Sequence, residues 1–274
     1  MATGGLPILS YRLYLDIGNS ALKYGLRQNG EWKLHGSLSY LPDPEQDDMI
    51  QDGASVAAEL GDMLDDGGFA VADCESVVYC CCNPHVDRLL KALAATFPCG
   101  LKAFGTDIEP VLQIGYRQPE ELGADRLANA TGGALLYGKP CVVVDLGTCI
   151  TSEVVSAEGV MLGGAIAAGR AAVLAGLIIS VPHLEAALLQ TDVPILEEML
   201  GRSTAECLAV GIAMQLAGTA DRMVLEAIEI LGAEDAAVVV TGGDAELVEP
   251  LMETPTILDD KLTLEGLRLS DGYE

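Results

Sequence analysis

The sequence predicts an α/β protein made of two related halves, and three observations support this prediction. Apolar stretches with strand character alternate with helical periodicity along the 274 residues, which is typical of layered α/β architecture. At ~150 residues per domain, that length suits two domains. The segments YLDIGNS and VVDLGTC share one pattern, and their aspartates, Asp16 and Asp145, lie 129 positions apart. We therefore predict a duplicated unit with one Asp-x-Gly turn in each copy.

The first half is predicted to contain a hairpin, two helices and a strand between them. YRLYLDIG and EWKLHGSL indicate two strands joined through RQNG, in which Asn29-Gly30 is a strong hairpin signal. DGASVAAELGDML and VDRLLKALAATF have helical spacing, and SVVYCC between them indicates a short buried strand.

The second half is predicted to repeat this alternation. PEELGADRLANATGGALLYG has apolar residues at helical intervals, and KPCVVVDLGTCITSEVV indicates a strand, a turn and a strand, which GVMLGGAIAAG continues. STAECLAVGIAMQLAGTADRMVLEAIEIL predicts a long helix, and AAVVVTGGDAELVEPLM predicts a strand that ends at Gly242-Gly243.

Composition limits the classes of partner and compartment. With 15 basic and 41 acidic residues the formal charge is −26, which repels nucleic acid and anionic membranes, although a local cation or backbone N–H groups could still bind a small anion. No uninterrupted apolar run reaches the ~20 residues of a membrane span. Residues 1–12 lack the regions of a signal peptide. We expect a soluble cytoplasmic protein whose eight cysteines are mostly free thiols.

Each Asp-x-Gly turn has the residue types of a phosphate and metal site. A carboxylate at the end of a buried strand, such as Asp16, is costly unless water, a cation or donors lie close by. Glycine lets the backbone approach a ligand closely, a following hydroxyl can donate to an oxygen, and the carboxylate can hold a hydrated cation. A structural alternative is that Asp16 and Asp145 only form turns.

Other polar residues are open to simpler interpretations. Lys23 could be an ordinary surface lysine, and Asp125 and Arg126 a solvated helix pair. The side chains of Cys80 to Cys82 would point to alternate faces of a strand, and no Cys-x-x-Cys motif or nearby histidine pair completes a set of four ligands. We therefore do not interpret them as a zinc site. The scattered histidines are expected to be structural or exposed: His35, His85 and His183. The glycine pairs do not form a dinucleotide fingerprint and are expected to permit close packing.

Seven segments in order resemble the type III pantothenate kinases of the acetate and sugar kinase, heat-shock 70 and actin superfamily. They are DIGNSALK, GYRQPEELGADR, DLGTCIT, GGAIAAG, STAECLAVG, TGG and LTLEGL. The resemblance implies two ribonuclease H-like domains of the acetate and sugar kinase/actin type with a cleft between them. The N-terminal ATPase-like domain would span residues 1–117 and carry the first hairpin. The C-terminal domain would span 118–274 and carry the second hairpin and a dimer face.

The resemblance also implies residue roles. The first hairpin would bind the ATP phosphates through Asp16, Ile17, Gly18, Asn19, Ser20, Ala21, Leu22 and Lys23. Asp16 would also orient Mg²⁺ through water. In the second hairpin, Asp145 would ligate a monovalent cation, K⁺ or NH₄⁺, and Thr148 would contact ATP. Asp125 would be the catalytic base, and the pantothenate pocket would comprise Tyr116, Gly123, Ala124, Asp125, Arg126 and Thr204.

The activity implied is transfer of the ATP γ-phosphate to the primary hydroxyl of pantothenate, the first step of coenzyme A biosynthesis, by a homodimer. Three positions depart from the family pattern: Cys149 stands where a small apolar residue is usual, Glu153 stands near the position of a usual aspartate, and Ala168 stands where proline is common. Two alternatives stay open, another small-molecule kinase of the superfamily and a non-catalytic regulator of the same fold.

Overall fold

A computed structural model describes residues 10–40, 53–82, 86–188 and 199–272. The strands are Tyr11–Ile17 (β1), Ala21–Gln28 (β2), Glu31–Ser39 (β3), Cys74–Cys81 (β4), Leu101–Ala103 (β5), Gln113–Ile114 (β6), Cys141–Leu146 (β7), Cys149–Val155 (β8), Val160–Gly163 (β9), Ile166–Ala168 (β10), Ala237–Thr241 (β11) and Ile257–Leu258 (β12). The helices are Gly53–Asp66 (α1), Asp87–Thr96 (α2), Ala124–Leu136 (α3), Arg170–Ser180 (α4), Glu185–Leu188 (α5), Thr204–Leu231 (α6), Ala245–Val248 (α7) and Leu262–Ser270 (α8). His85 lies outside the described residues.

The first unit is built on a five-stranded sheet in the order β3-β2-β1-β4-β5. β1 pairs antiparallel with β2 and parallel with β4. Because β1 is central and covered on both faces, its residues form an almost continuous apolar run. Leu13, Leu15 and Ile17 are fully buried and share one core with Leu60 of α1 and Leu93 of α2.

The second unit is built on a seven-stranded sheet in the order β12-β11-β7-β8-β9-β6, with β10 paired to β8. β7 pairs antiparallel with β8 and parallel with β11, which repeats the pairings of β1 with β2 and β4. The apolar side chains of Val142, Val144 and Leu146 share a core with α6. The shared strand order confirms the predicted duplication around Asp16 and Asp145.

The sequence-based division at residue 117 differs from the grouping of contacts in the structure. One unit comprises Met1–Val111, Gly123–Thr131 and Thr263–Glu274, and the other comprises Leu112–Leu122 and Gly132–Leu262. The start of α3 and most of α8 therefore group with the first sheet. A boundary drawn along the chain cannot anticipate this, because packing joins segments that are distant in sequence.

Several predicted elements need correction. The segment from Tyr11 to Gln28 was predicted to be one strand followed by a turn, but it contains two strands, β1 and β2. The Asn29-Gly30 turn therefore joins β2 to β3. That turn has the positive φ angles of a tight hairpin, 53° at Asn29 and 79° at Gly30. The helix predicted from Pro119 begins at Ala124 instead, after a short 3₁₀ turn at Pro119–Glu121.

The residue that caps the start of α6 is Ser203 rather than Thr204. Ser203 is the N-cap, and its hydroxyl accepts a hydrogen bond from the Glu206 backbone N–H at 3.2 Å. Thr204 is the exposed first residue of the helix. A run of two hydroxyl residues before a helix leaves the cap ambiguous from sequence, because both residue types are good N-caps.

Helix α6 meets the length and hydropathy criteria of a membrane span, with a mean hydropathy of 1.2 in its most apolar window. So do α4 and the following bent segment when they are taken together. In α6, 44% of that window is buried, and its buried side chains pack in the core of the second unit. Core packing therefore explains the buried apolar side chains of α6.

Candidate active site

The first Asp-x-Gly turn joins β1 to β2 and is closed by main-chain and tyrosine contacts. The Gly18 N–H donates to the Ala21 carbonyl oxygen at 3.0 Å, and the Tyr40 N–H donates to the Ser20 carbonyl oxygen at 3.0 Å. The Tyr40 hydroxyl donates to the Gly18 carbonyl oxygen. Asn19 and Ser20 are exposed at the tip. These hydrogen bonds fix the backbone of the turn, while the side chains at its tip are exposed to solvent.

Asp16 is buried, with 7% of its surface exposed, and lies between two strands that supply polar neighbours. It is directly opposite Lys23 on β2 and Cys80 on β4. Directly opposed residues project from the same face of a sheet. The Cys80 thiol donates to Asp16 Oδ1 at 3.5 Å. The structure therefore places a cation and a weak hydrogen-bond donor beside the Asp16 carboxylate.

Asp16 and Asp125 both act electrostatically on the thiols of Cys80 and Cys82 in the first unit. Burial raises the pKa of the Cys80 and Cys82 thiols, and the negative charges of both aspartates raise these pKa values further. Sequence reasoning considered these cysteines only as metal ligands. Cys80 lies beside Asp16 because of the register in which β4 pairs with β1, and this register cannot be read from the sequence.

Asp125 and Arg126 lie in the first turn of α3, which begins at Ala124. Adjacent residues of a helix project about 100° apart, so two of them can serve one ligand most easily where the helix begins. Asp125 is half-buried and Arg126 is 7% exposed. A side-chain carbon at Gly123 would collide with Asp125 Oδ1. The positive end of the helix dipole at this turn favours an ionised carboxylate.

The second Asp-x-Gly turn joins β7 to β8 and packs against the start of α4. The Gly147 N–H donates to the Cys149 carbonyl oxygen at 3.0 Å, and the Gly169 N–H donates to the Thr148 carbonyl oxygen at 3.1 Å. A Cβ atom at Gly169 would lie 2.7 Å from that oxygen. Glycine is therefore required where α4 meets the turn. Thr148 is exposed.

Asp145 has hydroxyl groups on both neighbouring strands. It is directly opposite Thr151 on β8 and Thr241 on β11. The buried Oγ1 atoms of both threonines have no hydrogen-bond partner among the described residues. Gly242 has a φ of +108°, and a Cβ atom there would lie 2.5 Å from Asp145 Oδ1. Carboxylate and hydroxyl oxygens of this kind suit a cation, and the sequence analysis did not select either threonine.

Glu153, one of the departures from the family pattern, lies on the same face of the second sheet as Asp145. It is 0% exposed and directly opposite Val143, two residues before Asp145 on β7. This departure therefore falls inside the core of the second unit, near the second turn. Cys149 and Ala168, the other departures, are paired with each other across β8 and β10.

Tyr116 lines a cavity of ≈ 650 Å³ in the second unit, a size within the ~300–1,000 Å³ of ligand sites. The cavity is lined by Gly115, Tyr116, Arg117, Gln118, Glu121, Leu162, Gly163 and Gly164. Thr204 is not among these lining residues. In the first unit the structure thus places Lys23 beside Asp16, and in the second unit it places Thr151 and Thr241 beside Asp145.

The sequence profile described as type III pantothenate kinase matches residues 12–226. The chain is 29% identical over 255 residues to the type III pantothenate kinase of Persephonella marina, which covers 93% of this chain and 96% of that protein. It is 32% identical over 268 residues to the type III pantothenate kinase of Thermobifida fusca, with 94% and 97% covered.

Solved structures share the fold. A conserved putative Baf family transcriptional activator from Campylobacter jejuni aligns with a TM-score of 0.54 at 19% identity, covering 95% of this chain and 97% of that chain. The activator of 2-hydroxyisocaproyl-CoA dehydratase from Clostridium difficile, with bound ADPNP, aligns with a TM-score of 0.52 at 14% identity, covering 96% and 95%. The fold is that of the acetate and sugar kinase/actin superfamily, as the sequence predicts.

Proposed function

We propose a catalytic role for each group of site residues from the premise that this chain belongs to the type III pantothenate kinase family. The chain transfers the γ-phosphate of ATP to the primary hydroxyl of pantothenate, in the first step of coenzyme A biosynthesis. The observation that carries the residue assignment is the position of Asp125 and Arg126 in the first turn of α3, in the same unit as Asp16.

Asp125 is proposed as the catalytic base. Phosphoryl transfer depends mainly on alignment and charge neutralisation, so the base has to orient the attacking hydroxyl and accept its proton. Negative charge is favoured in the first turn of a helix, where the positive end of the helix dipole lies. Arg126 is proposed to pair with the pantothenate carboxylate through its planar fork of donors. Tyr116, Gly123, Ala124 and Thr204 complete the proposed substrate contacts.

Each of the two turns is proposed to contribute contacts to the nucleotide. In the first turn the contributing residues are Asp16, Ile17, Gly18, Asn19, Ser20, Ala21, Leu22 and Lys23, and in the second Thr148. The buried Asp16 carboxylate beside Lys23 fits an outer-sphere position for Mg²⁺, which usually keeps several waters. Mg²⁺ supplies charge neutralisation on the phosphate oxygens when it is bound. Lys23 would add a point charge to one of these oxygens.

A monovalent cation, K⁺ or NH₄⁺, is proposed to bind at Asp145. Two buried threonine hydroxyls without described partners flank this carboxylate, and an unpaired buried hydroxyl costs about 1–3 kcal/mol. A weakly hydrated ion among these oxygens would remove that cost. Mg²⁺ fits less well, because it demands an octahedral shell and keeps its water.

We also propose a cytoplasmic homodimer. α6 exposes large apolar side chains, with Met214 53%, Leu225 55% and Ile230 68% exposed. Beside them lies a groove of ≈ 400 Å³ lined by residues that include Leu162, Met223 and Ile230. Apolar surface of this kind in a chain with a formal charge of −26 favours a protein partner over a polyanion.

The test of the assignment is an Asp125→Asn variant assayed for ADP release. We expect kcat to fall by ~10²- to 10⁴-fold with little change in ATP binding, whereas Arg126→Ala should mainly raise the pantothenate KM. Asp87→Asn is the matched control, because Asp87 also lies in the first turn of a helix in the first unit. Near wild-type kcat in Asp125→Asn would exclude the carboxylate as the base.

The choice of acceptor tests the reaction class. ADP release that requires pantothenate supports the proposed kinase. Equal release with common sugars or acetate would indicate another kinase of the superfamily, and no release with any acceptor would indicate a regulator.

A further inference from the structure

The LTLEGL segment near the C-terminus has no role in the proposed site, yet it packs against the helix that carries the proposed base. Its first residues begin α8, and Thr263 on α8 donates a hydrogen bond to Asn129 Oδ1 on α3 at 2.7 Å. Asn129 is 1% exposed and Thr263 is 3% exposed. A buried polar pair of this kind joins the two helices at a defined point, because neither group can turn to water instead.

The backbones of α3 and α8 also meet at close range next to this pair. A Cβ atom at Gly266 would lie 2.6 Å from the carbonyl carbon of Ala128 and 3.1 Å from its Cα. Only glycine allows this approach. α8 therefore fixes the backbone of α3 at the residue immediately before Asn129.

α8 is itself held firmly on the first sheet. The Trp32 indole N–H donates to Glu265 Oε1 at 2.6 Å, and Arg268 Nε donates to Glu265 Oε2 at 2.6 Å. Leu264 of α8 and Trp32 of β3 both approach Gly25 of β2. The support behind α3 is thus tied to the strand that carries Lys23.

Helix geometry brings the side chains of Asn129 and Asp125 within reach of each other. The two residues are four positions apart on α3, so they lie on one face, one turn from each other. Helical side chains tilt towards the N-terminus, which is the direction of Asp125. Because Oδ1 of Asn129 accepts from Thr263, its amide nitrogen is oriented away from that bond. A carboxylate can only accept hydrogen bonds, and an amide nitrogen can only donate.

We propose that Asn129, oriented by Thr263, is a positioning residue that holds the Asp125 carboxylate in the direction needed for the attacking hydroxyl. This inference rests on the proposed role of Asp125 as the base. The chain of support runs from the first sheet through α8 to Thr263, then to Asn129 and Asp125. LTLEGL thereby acquires a role in the alignment of the reacting groups, which dominates catalysis of phosphoryl transfer.

The experiment is a double-mutant cycle between Thr263→Val and Asp125→Asn. Valine keeps the shape of threonine and removes its donor. We expect Thr263→Val alone to lower kcat about 5- to 20-fold, which corresponds to the loss of one hydrogen bond that helps to orient a charged group. Both KM values should stay within about twofold of the wild-type values. In the Asp125→Asn background the same change should lower kcat less than twofold, because residues that act as a unit are not additive.

Three further variants separate positioning from loss of stability. Thr263→Ser keeps the hydroxyl and should stay within about twofold of the wild-type kcat. Ser270→Ala removes another α8 hydrogen bond, from the Ser270 hydroxyl to the Gly266 carbonyl oxygen at 2.8 Å, and should leave kcat unchanged. Asn129→Ser gives a second entry to the cycle if Thr263→Val does not fold, and should reproduce its kcat loss.

The outcomes distinguish this inference from the proposed function. A Thr263→Val loss of equal size in both backgrounds, or a wild-type kcat in Thr263→Val beside an inactive Asp125→Asn, would overturn the positioning role alone. A fully active Asp125→Asn would instead overturn the base assignment, and this inference with it.

Discussion

Gly266→Ala should destabilise the first unit, because Gly266 is where α8 lies against the backbone of α3. The added Cβ atom would lie 2.6 Å from the Ala128 carbonyl carbon, where ordinary contacts begin at 3.4 Å, and it would collide with the carbonyl oxygen of the same residue. The obstacle is backbone, so no side-chain rotation relieves it. Overpacking of this kind costs about 1–3 kcal/mol, and here the upper end applies.

Alanine also has a better helix propensity than glycine, by about 1 kcal/mol. Subtracting this gain leaves a net loss of about 2 kcal/mol in the free energy of unfolding. Gly61→Ala in α1 is the matched control, because its Cβ would have its nearest contact at an ordinary 3.9 Å, to Thr96. That change should stabilise the protein by about 0.5–1 kcal/mol.

Urea denaturation followed by tryptophan fluorescence measures both changes. Trp32 is the single tryptophan of the chain, and its indole N–H donates to Glu265 of α8, so its emission reports directly on the docking of this helix. A shift of the urea midpoint with an unchanged slope is a change in stability. An unfolding free energy for Gly266→Ala equal to or above that of the wild type would refute the close packing of α8 on α3.

Three further predictions concern the second unit and assembly. Activity should rise with KCl titrated against tetramethylammonium chloride at fixed ionic strength, and Asp145→Asn should lose that response; a flat titration would remove Asp145 from the cation site. Thr241→Val removes a buried hydroxyl that has no described partner, so it should leave stability unchanged or raise it by up to about 1 kcal/mol while weakening K⁺ activation at least threefold. An unchanged K⁺ response would show that Thr241 is not a ligand. Light scattering should give twice 28.6 kDa, and a fully active monomer at micromolar concentration would contradict the dimer.

Much of the fold could be predicted from the sequence, because strands and helices leave periodic patterns that need no knowledge of distant contacts. The repeat around Asp16 and Asp145 predicted two copies of one strand arrangement, and the corresponding strand order of the two sheets confirms it. The helical segment with Asp125 and Arg126 was recognised, but its start at Ala124 was not, because Pro119 and two glutamates form an equally good helix beginning.

The sequence by itself determined the alternation of strands and helices, the two Asp-x-Gly turns and the family. These depend on residues that are close together in the chain, whose spacing and side-chain chemistry can be read directly. The tertiary structure alone decided that Cys80 lies beside Asp16, that Thr241 faces Asp145, and that α8 supports α3 through Thr263 and Asn129. Each of these contacts depends on the register of strands or on the packing of helices that are 64 to 134 residues apart. Register and packing are set by burial of whole faces, which no local pattern specifies.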